Sequence, residues 1–200
     1  MITSREFDMQ QEASEQTAGI DSRGAKFFIA GEGPSFWQPV PANGFVRCLL
    51  NGAKLGTTTP FSMGTQTVAP GGCYVREHAH DRSEEVIFFY AGSGGSVVID
   101  DIEYPVKPQT AVYLGTNCRH KFVNNGADDL SFMWFLMPGG IEEFFESVGR
   151  VRHPGDPAPE PFARPANVQE IEARTVFASG VTNGTNSTNS TNSTSGAAGD

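Results

Sequence analysis

Short apolar runs alternate with turn-forming segments along the middle of the chain, with a new run about every ten residues. The segments between the runs, such as NGAKLG, APGG, AGSGG and NNGADD, are rich in glycine, asparagine, aspartate and proline. These residues supply the backbone angles of tight turns, and short runs bounded in this way are typical of strands. The rhythm predicts an all-β sandwich or small barrel. The predicted strands span residues 26–30, 45–50, 61–68, 73–80, 85–91, 95–100, 102–106, 111–114, 120–124 and 130–137.

Two later segments have helical character. In residues 141–149 (IEEFFESVG) the apolar side chains recur at helical spacing and Gly149 stands where the helix would end, which predicts a short helix that caps the barrel. Residues 168–177 predict a second short helix. Between them, RVRHPGDPAPEPFARP contains too many prolines for a helix or a central strand, so it should run extended over the surface and pack Phe162.

The chain therefore divides into four parts. Residues 1–24 form a polar N-terminal arm with a possible short helix at 9–17, and residues 25–150 form the barrel with its capping helix. Residues 151–180 form the proline-rich extension that packs on the barrel. Residues 181–200 are a low-complexity Asn/Ser/Thr tail, which we expect to be disordered because it has too few apolar residues to anchor it.

Charge and hydropathy exclude several classes of function. The chain of 200 residues has a net charge of −9 with only 14 lysines and arginines, too few for a protein that neutralises a row of phosphates, so we expect no nucleic-acid partner. It has no apolar run of about 18 residues and no export signal, so we expect no membrane partner and a cytoplasmic location.

Histidines and glutamates form the clearest functional pattern in the sequence. His78 and His80 are two residues apart on a predicted strand, where alternate side chains share a face. A polar turn follows, and the next strand can return antiparallel and bring Glu85 or Glu84 beside them. His120 opens a later strand. Three neutral imidazoles and one carboxylate would hold one divalent transition metal ion, such as Fe, Mn, Ni, Cu or Zn, with coordination positions left open.

The spacing of these residues resembles the first motif of the cupin superfamily. The motif's glycines, its His-x-His pair and its glutamate are matched at every interval by Gly72, His78, His80, Glu85 and Gly92. The resemblance implies that Glu85, and not its neighbour, is the ligand. It also implies a double-stranded β-helix, the cupin jelly-roll barrel, with the metal inside the barrel mouth.

The second cupin motif is kept only in part. His120 and Asn124 match it, but Gly115 stands in place of the motif's proline, and Asn117 and Gln109 stand in place of two glycines. Asparagine tolerates a positive φ, so we expect the turn before His120 to be preserved.

Four residues are predicted to line a substrate pocket. By strand parity Tyr74 and Arg76 share a face with His78, and Phe122 shares a face with His120. Trp134 lies on the last barrel strand, where the sequence does not show which face points inward. An inward arginine needs an anionic partner, either from the protein or from the substrate.

The resemblance leaves the reaction open, because cupins with this ligand set include enzymes of several classes and simple binding proteins. The leading prediction is a dioxygenase similar to the quercetinase-like cupins, with a small aromatic or enolic substrate. In it Glu85 serves as ligand and proton acceptor. One alternative is a redox-neutral isomerase, decarboxylase or lyase, and another is a non-catalytic binding protein. We also expect a homodimer, since barrel edge strands need covering.

Overall fold

The computed structural model describes residues 31–178, and its strands form two antiparallel sheets. The strands are β1 (Ser35–Trp37), β2 (Phe45–Asn51), β3 (Ser62–Val68), β4 (Cys73–His78), β5 (Glu84–Ala91), β6 (Gly95–Ile99), β7 (Ile102–Val106), β8 (Ala111–Leu114), β9 (His120–Asn124), β10 (Leu130–Met137) and β11 (Arg150–Val151). The helices are α1 (Gly52–Leu55), α2 (Glu142–Val148) and α3 (Val168–Arg174).

The two sheets have the orders β11-β1-β2-β3-β10-β5-β8 and β4-β9-β6-β7. The chain crosses between the sheets several times, for example from β3 to β4 and from β4 to β5, and the core fills the space between the sheets. This is the jelly-roll arrangement, so the all-β fold prediction is confirmed. No helix within residues 31–178 is long and apolar enough to cross a membrane.

Side-chain alternation determines what each strand contributes to the core. On β10, Phe132, Trp134 and Leu136 are at most 1% exposed, which settles the face that the sequence left open. Phe132 packs against Phe122 of the facing sheet, with ring centres 4.8 Å apart. These aromatic residues join the two sheets immediately below the metal-ligand candidates.

Most predicted strands have the observed bounds to within a residue or two. The exceptions have local causes. The sequence NGAKLG predicts a turn, but it forms α1, capped by the Asn51 side chain, which accepts a hydrogen bond from Lys54 N at 2.9 Å. The short strands β1 and β11 were missed, and they pair with each other at one edge of the larger sheet. The predicted strand at 26–30, the helix at 9–17 and the tail at 181–200 lie outside the described residues.

Both predicted C-terminal helices form. Helix α2 buries Phe144, Phe145 and Val148 against the barrel, and Gly149 follows its last residue. The chain then runs extended and returns as α3, whose Ile171 is also in the core. The residues after α3 bond to the barrel through Ala178 N, which donates to Ala79 O at 2.8 Å. The extension therefore lies beside the candidate site.

Candidate metal centre

Four buried side chains meet at one point inside the barrel. They are His78, His80, Glu85 and His120, and each offers one ligand atom that lies within 4.8 Å of the others. None of the four residues is more than 7% exposed. They are the four residues predicted from the sequence as metal ligands.

The four ligands come from both sheets. His78 ends β4 and pairs with His120, the first residue of β9. Glu85 is the second residue of β5 in the other sheet, where it faces inward while Glu84 is exposed. The expected hairpin between the His-x-His strand and the glutamate strand is absent, since β4 pairs with β9 and β5 with β10 and β8. The carboxylate reaches the histidines across the barrel interior instead.

The His-x-His pair is not held on one regular strand. Strand β4 ends at His78, and its register against β9 shifts between Val75 and His78. His80 lies beyond the strand, where its backbone carbonyl accepts a hydrogen bond from Asn117 N at 2.7 Å. The register shift lies before the pair, and the turn that follows β4 places His80.

Backbone carbonyls orient all three imidazoles. The Nδ1 atoms of His78, His80 and His120 lie 2.8, 3.0 and 2.9 Å from the carbonyl oxygens of Arg76, Val176 and Cys118. An imidazole that donates from Nδ1 keeps the lone pair of Nε2 free for another partner. This is the arrangement that supports histidine as a metal ligand.

The atoms at the centre lack ordinary partners. Glu85 Oε2 lies 3.1 Å from His120 Nε2 and 3.5 Å from His80 Nε2. Nevertheless, these three buried atoms make no hydrogen bond of acceptable geometry within residues 31–178. Buried polar atoms without partners are costly in a fold, and a divalent cation would satisfy all three together. The residues present therefore fit a metal ion.

The electrostatics of the cluster agree with that fit. Burial, reinforced by His120 and His80, holds the pKa of His78 well below its ordinary value, so that imidazole is neutral and able to bind a metal. Burial alone would raise the pKa of Glu85, but the contacts with His120 and His80 outweigh it and lower the pKa. For His80 the same contact with Glu85 outweighs burial and raises the pKa. Glu85 is therefore an ionised carboxylate.

A pocket of about 700 Å³, including its open mouth, adjoins the cluster and is bordered by His78 and Glu85. The four residues predicted as pocket residues, Tyr74, Arg76, Phe122 and Trp134, all border it. Tyr74 is at the rim, because it is 39% exposed and Lys121 Nζ lies 5.6 Å from the centre of its ring. Phe122 and Trp134 form the buried wall. The parity argument for Tyr74 does not extend through the bulge in β4.

The C-terminal extension adds site residues that the sequence argument missed. The ring of Phe177 lies 5.4 Å from His78 and 5.3 Å from His80, centre to centre, and it packs against Phe144 at 4.6 Å. Arg164 and Glu172 also border the pocket. The two motifs could not reach them, because they span only residues 72–124. Phe177 was predicted as the end of a helix and not as a cover for the histidines.

The turn before His120 keeps the shape that the motif's glycines would give it. Asn117 has φ 60°, as the sequence predicted, and Gln109 has φ 74°. Both positions at which the chain departs from glycine thus have a positive φ. The backbone before His120 therefore has, at these two positions, the positive φ that glycine adopts readily.

Comparison with known proteins places the site in a family. The family model for the cupin domain matches residues 64–136, the segment that carries all four clustered residues. Protein SchB of Streptomyces halstedii is 34% identical over 106 residues, which cover 51% of this chain and 75% of SchB. Polyketide synthase CurC of Streptomyces cyaneus is 30% identical over 95 residues, which cover 48% of this chain and 60% of CurC.

Solved structures include a similar barrel. The polyketide cyclase RemF of Streptomyces resistomycificus matches 50% of this chain and 69% of its own, with 21% identity and a TM-score of 0.44.

Proposed function

The chain belongs to the cupin superfamily, and we propose that it is a metal-dependent enzyme acting on an enolisable polycarbonyl or phenolic compound. The observation that carries the proposal is the set of three buried ligand atoms that have no hydrogen-bond partner among residues 31–178, at the edge of a largely apolar pocket. A purely structural histidine cluster would satisfy these atoms within the protein.

The ligand set suits a substrate that binds through oxygen. A divalent ion held by His78, His80, Glu85 and His120 would act as a Lewis acid and stabilise negative charge on a carbonyl or enol oxygen. The Glu85 carboxylate offsets one of the two positive charges. A carboxylate with a lowered pKa is a weak base, so Glu85 serves here as ligand and not as the proton acceptor.

The pocket walls favour a flat, partly apolar molecule. Phe122, Phe132, Trp134, Phe144, Phe145 and Phe177 all border the pocket. Such walls exclude water and offer ring faces for stacking, and they provide few partners for a sugar's hydroxyl groups. The similarity to the polyketide synthase CurC supports the same substrate class, because polyketide chains are enolisable polycarbonyls.

The reaction that we propose is a redox-neutral ring closure. An enolised carbon attacks a second carbonyl carbon of the same chain, a carbon–carbon bond forms, and the displaced proton ends on the new hydroxyl oxygen. Loss of water then gives the aromatic ring. No oxidant is consumed. The pocket would hold the chain folded so that the two carbons meet, while its aromatic walls keep water away from the enolate.

A dioxygenase is the second candidate, and the apolar character of the pocket favours it. An enolate or phenolate in a dry aromatic cavity is suited to reaction with O2, which also partitions into apolar space. The two reactions differ in their products. Ring closure releases water and consumes no O2, whereas oxygenation consumes one O2 for each substrate molecule and adds both of its atoms to the product.

The first experiment tests the metal centre. We would measure the content of transition metals in the purified protein and in two variants, Glu85→Gln and Glu84→Gln. The second is a matched control, because Glu84 is its neighbour on β5 but is exposed. We expect near-stoichiometric metal in the wild type and the control, and a large loss in Glu85→Gln. Wild-type protein that contains no transition metal as purified, and that binds none when transition-metal salts are added, would contradict the proposal.

The second experiment tests the reaction. Diacetylacetone is a linear tricarbonyl that gives orcinol when it closes to a ring and loses one water. We expect metal-loaded protein to speed orcinol formation without oxygen uptake, and His120→Ala to abolish the increase. Oxygen uptake with the mass of one O2 added to the product would favour the dioxygenase. If the protein converts neither this compound nor simple phenols, the result contradicts both reactions and favours a non-catalytic binding protein.

A further inference from the structure

Three buried hydrogen-bond donors of the pocket wall have no partner in the described part of the chain, and one of them is the indole Nε1 of Trp134. The other two, Arg164 Nη1 and Gln38 Nε2, are the donors that could bind a polar group of a ligand together. Arg164 and Gln38 border the same pocket as His78 and Glu85. Gln38 is 6% exposed and the Arg164 side chain is 15% exposed, so bulk water does not readily satisfy these donors.

One edge of the Arg164 guanidinium is paired with a carboxylate. Its Nη2 donates to Glu172 Oε1 at 2.7 Å, and its guanidinium carbon lies 5.6 Å from the centre of the Phe144 ring. Burial lowers the pKa of Arg164, although Glu172 opposes this effect. Glu172 therefore fixes one edge of the guanidinium, while the Nη1 group at the other edge has no acceptor among the residues that the structure describes.

The segment that carries Arg164 is anchored to the barrel. Phe162 O accepts a hydrogen bond from Val40 N at 2.9 Å, and the Arg150 guanidinium lies 3.9 Å from the centre of the Phe162 ring. Helix α3 supplies Glu172 from the other side. Arg164 is thus positioned by contacts on both sides of it in sequence, which is typical of a residue kept in place for recognition.

We propose that Arg164 is a specificity-determining residue that binds a carboxylate of the substrate, with Gln38 as a second donor. The substrate would then be an acid, with an enolisable or phenolic oxygen at the metal centre and a carboxylate at Arg164. This inference rests on the proposed function for the metal-bound end of the ligand. Arginine suits the role because its donors match the two oxygens of a carboxylate.

These donors predict that the pocket distinguishes strongly between a ligand that carries a carboxylate and the same ligand without it. A ligand with the carboxylate satisfies Arg164 Nη1, whereas the analogue without it leaves that buried donor unpaired. A charge-assisted hydrogen bond of this kind is expected to change affinity by about tenfold or more.

The test compares two ligands that differ in one group. Orsellinate is orcinol with an added carboxylate, so calorimetric binding of both isolates the contribution of that group. We would use wild-type protein, with and without zinc, together with Arg164→Met and the control Arg174→Met. Arg174 is an exposed arginine on α3 that pairs with Glu143 at 3.3 Å.

We expect the wild type and Arg174→Met to bind orsellinate at least about tenfold more tightly than orcinol. Arg164→Met should lose this preference, because its affinity for orsellinate falls at least about tenfold more than its affinity for orcinol, and Arg164→Lys should recover part of it. A merely structural arginine would weaken both ligands equally, so that result would overturn the proposal.

Wild-type protein with no preference for orsellinate would overturn the proposal without any variant, even if Arg164→Met fails to fold. Failure of the metal-centred function gives a different result. A preference that depends on Arg164 but is the same with and without zinc supports the carboxylate site and contradicts the metal's role in binding.

Discussion

Asn124 is expected to stabilise the barrel and not to act in the reaction, although it is part of the second cupin motif. It is fully buried, and its Nδ2 lies 2.9, 3.1 and 2.9 Å from the carbonyl oxygens of Val68, Ala69 and Asp128. Its Oδ1 accepts a hydrogen bond from Gly126 N at 3.1 Å. One side chain thus joins the end of β3 to the loop between β9 and β10.

The cost of Asn124→Ala follows from these contacts. The Asn124 amide has two hydrogens for three carbonyl acceptors, so it makes the equivalent of about two hydrogen bonds as a donor. The substitution removes these two and also the hydrogen bond that Gly126 N donates to Oδ1. Each buried group left without a partner costs about 1–3 kcal/mol, and backbone carbonyls retain other partners. We expect the free energy of unfolding to fall by about 3–5 kcal/mol, a large share of the stability of a typical domain.

Urea denaturation, monitored by tryptophan fluorescence, would measure this loss of stability. Asn125→Ala is the control, because Asn125 is the next residue but is exposed. It should change stability by less than about 0.5 kcal/mol. A loss below about 1 kcal/mol in Asn124→Ala, at an unchanged slope against urea, would refute the reasoning.

Three further predictions concern the site and the barrel. The folded protein keeps His78 neutral because its pKa is lowered, whereas the unfolded chain gains a proton below the ordinary value of 6.5. The stability of the metal-free protein should therefore fall as the pH drops below that value, and urea titrations should show a smaller fall in His78→Gln but not in the exposed-site control His153→Gln. Gly64→Ala would place a Cβ in steric conflict with the Arg47 carbonyl oxygen and the Trp134 ring and should lower the free energy of unfolding by about 1–3 kcal/mol, while Gly115→Ala, with its nearest neighbour 4.0 Å away, should not. Phe177→Ala removes the ring that covers two histidines, so stopped-flow chelation should show faster metal loss than in wild type, and an unchanged rate would contradict the covering role.

Strand positions were predictable from sequence because turn residues punctuate this chain so regularly. The β10 prediction had the observed bounds, as did those for β7, β8 and β9. Strands β1 and β11 were missed because their two or three residues are too short to show alternation, and they form by pairing with β2 and with each other at the edge of the larger sheet. Helix α1 was missed because Asn51 and Gly56 are turn residues that here act as helix caps.

The sequence also specified which residue types could bind a metal, through the spacing around His78 and His80. It could not provide the geometry. The parity argument assumed one continuous strand, but the register shift in β4 and the turn after it determine where His80 lies. Glu85 approaches from the opposite sheet, which depends on how the two sheets pack and not on any local turn.

By itself, then, the sequence determined the all-β class and the four ligand candidates, because turn chemistry and side-chain period are local properties of the chain. Only the tertiary structure decided which face of β10 is buried, how Phe177 covers the histidines, and that Arg164 enters the pocket paired on one side with Glu172. Those outcomes join residues far apart in sequence. They depend on packing of the extension against the barrel, and no local pattern in the chain encodes that packing.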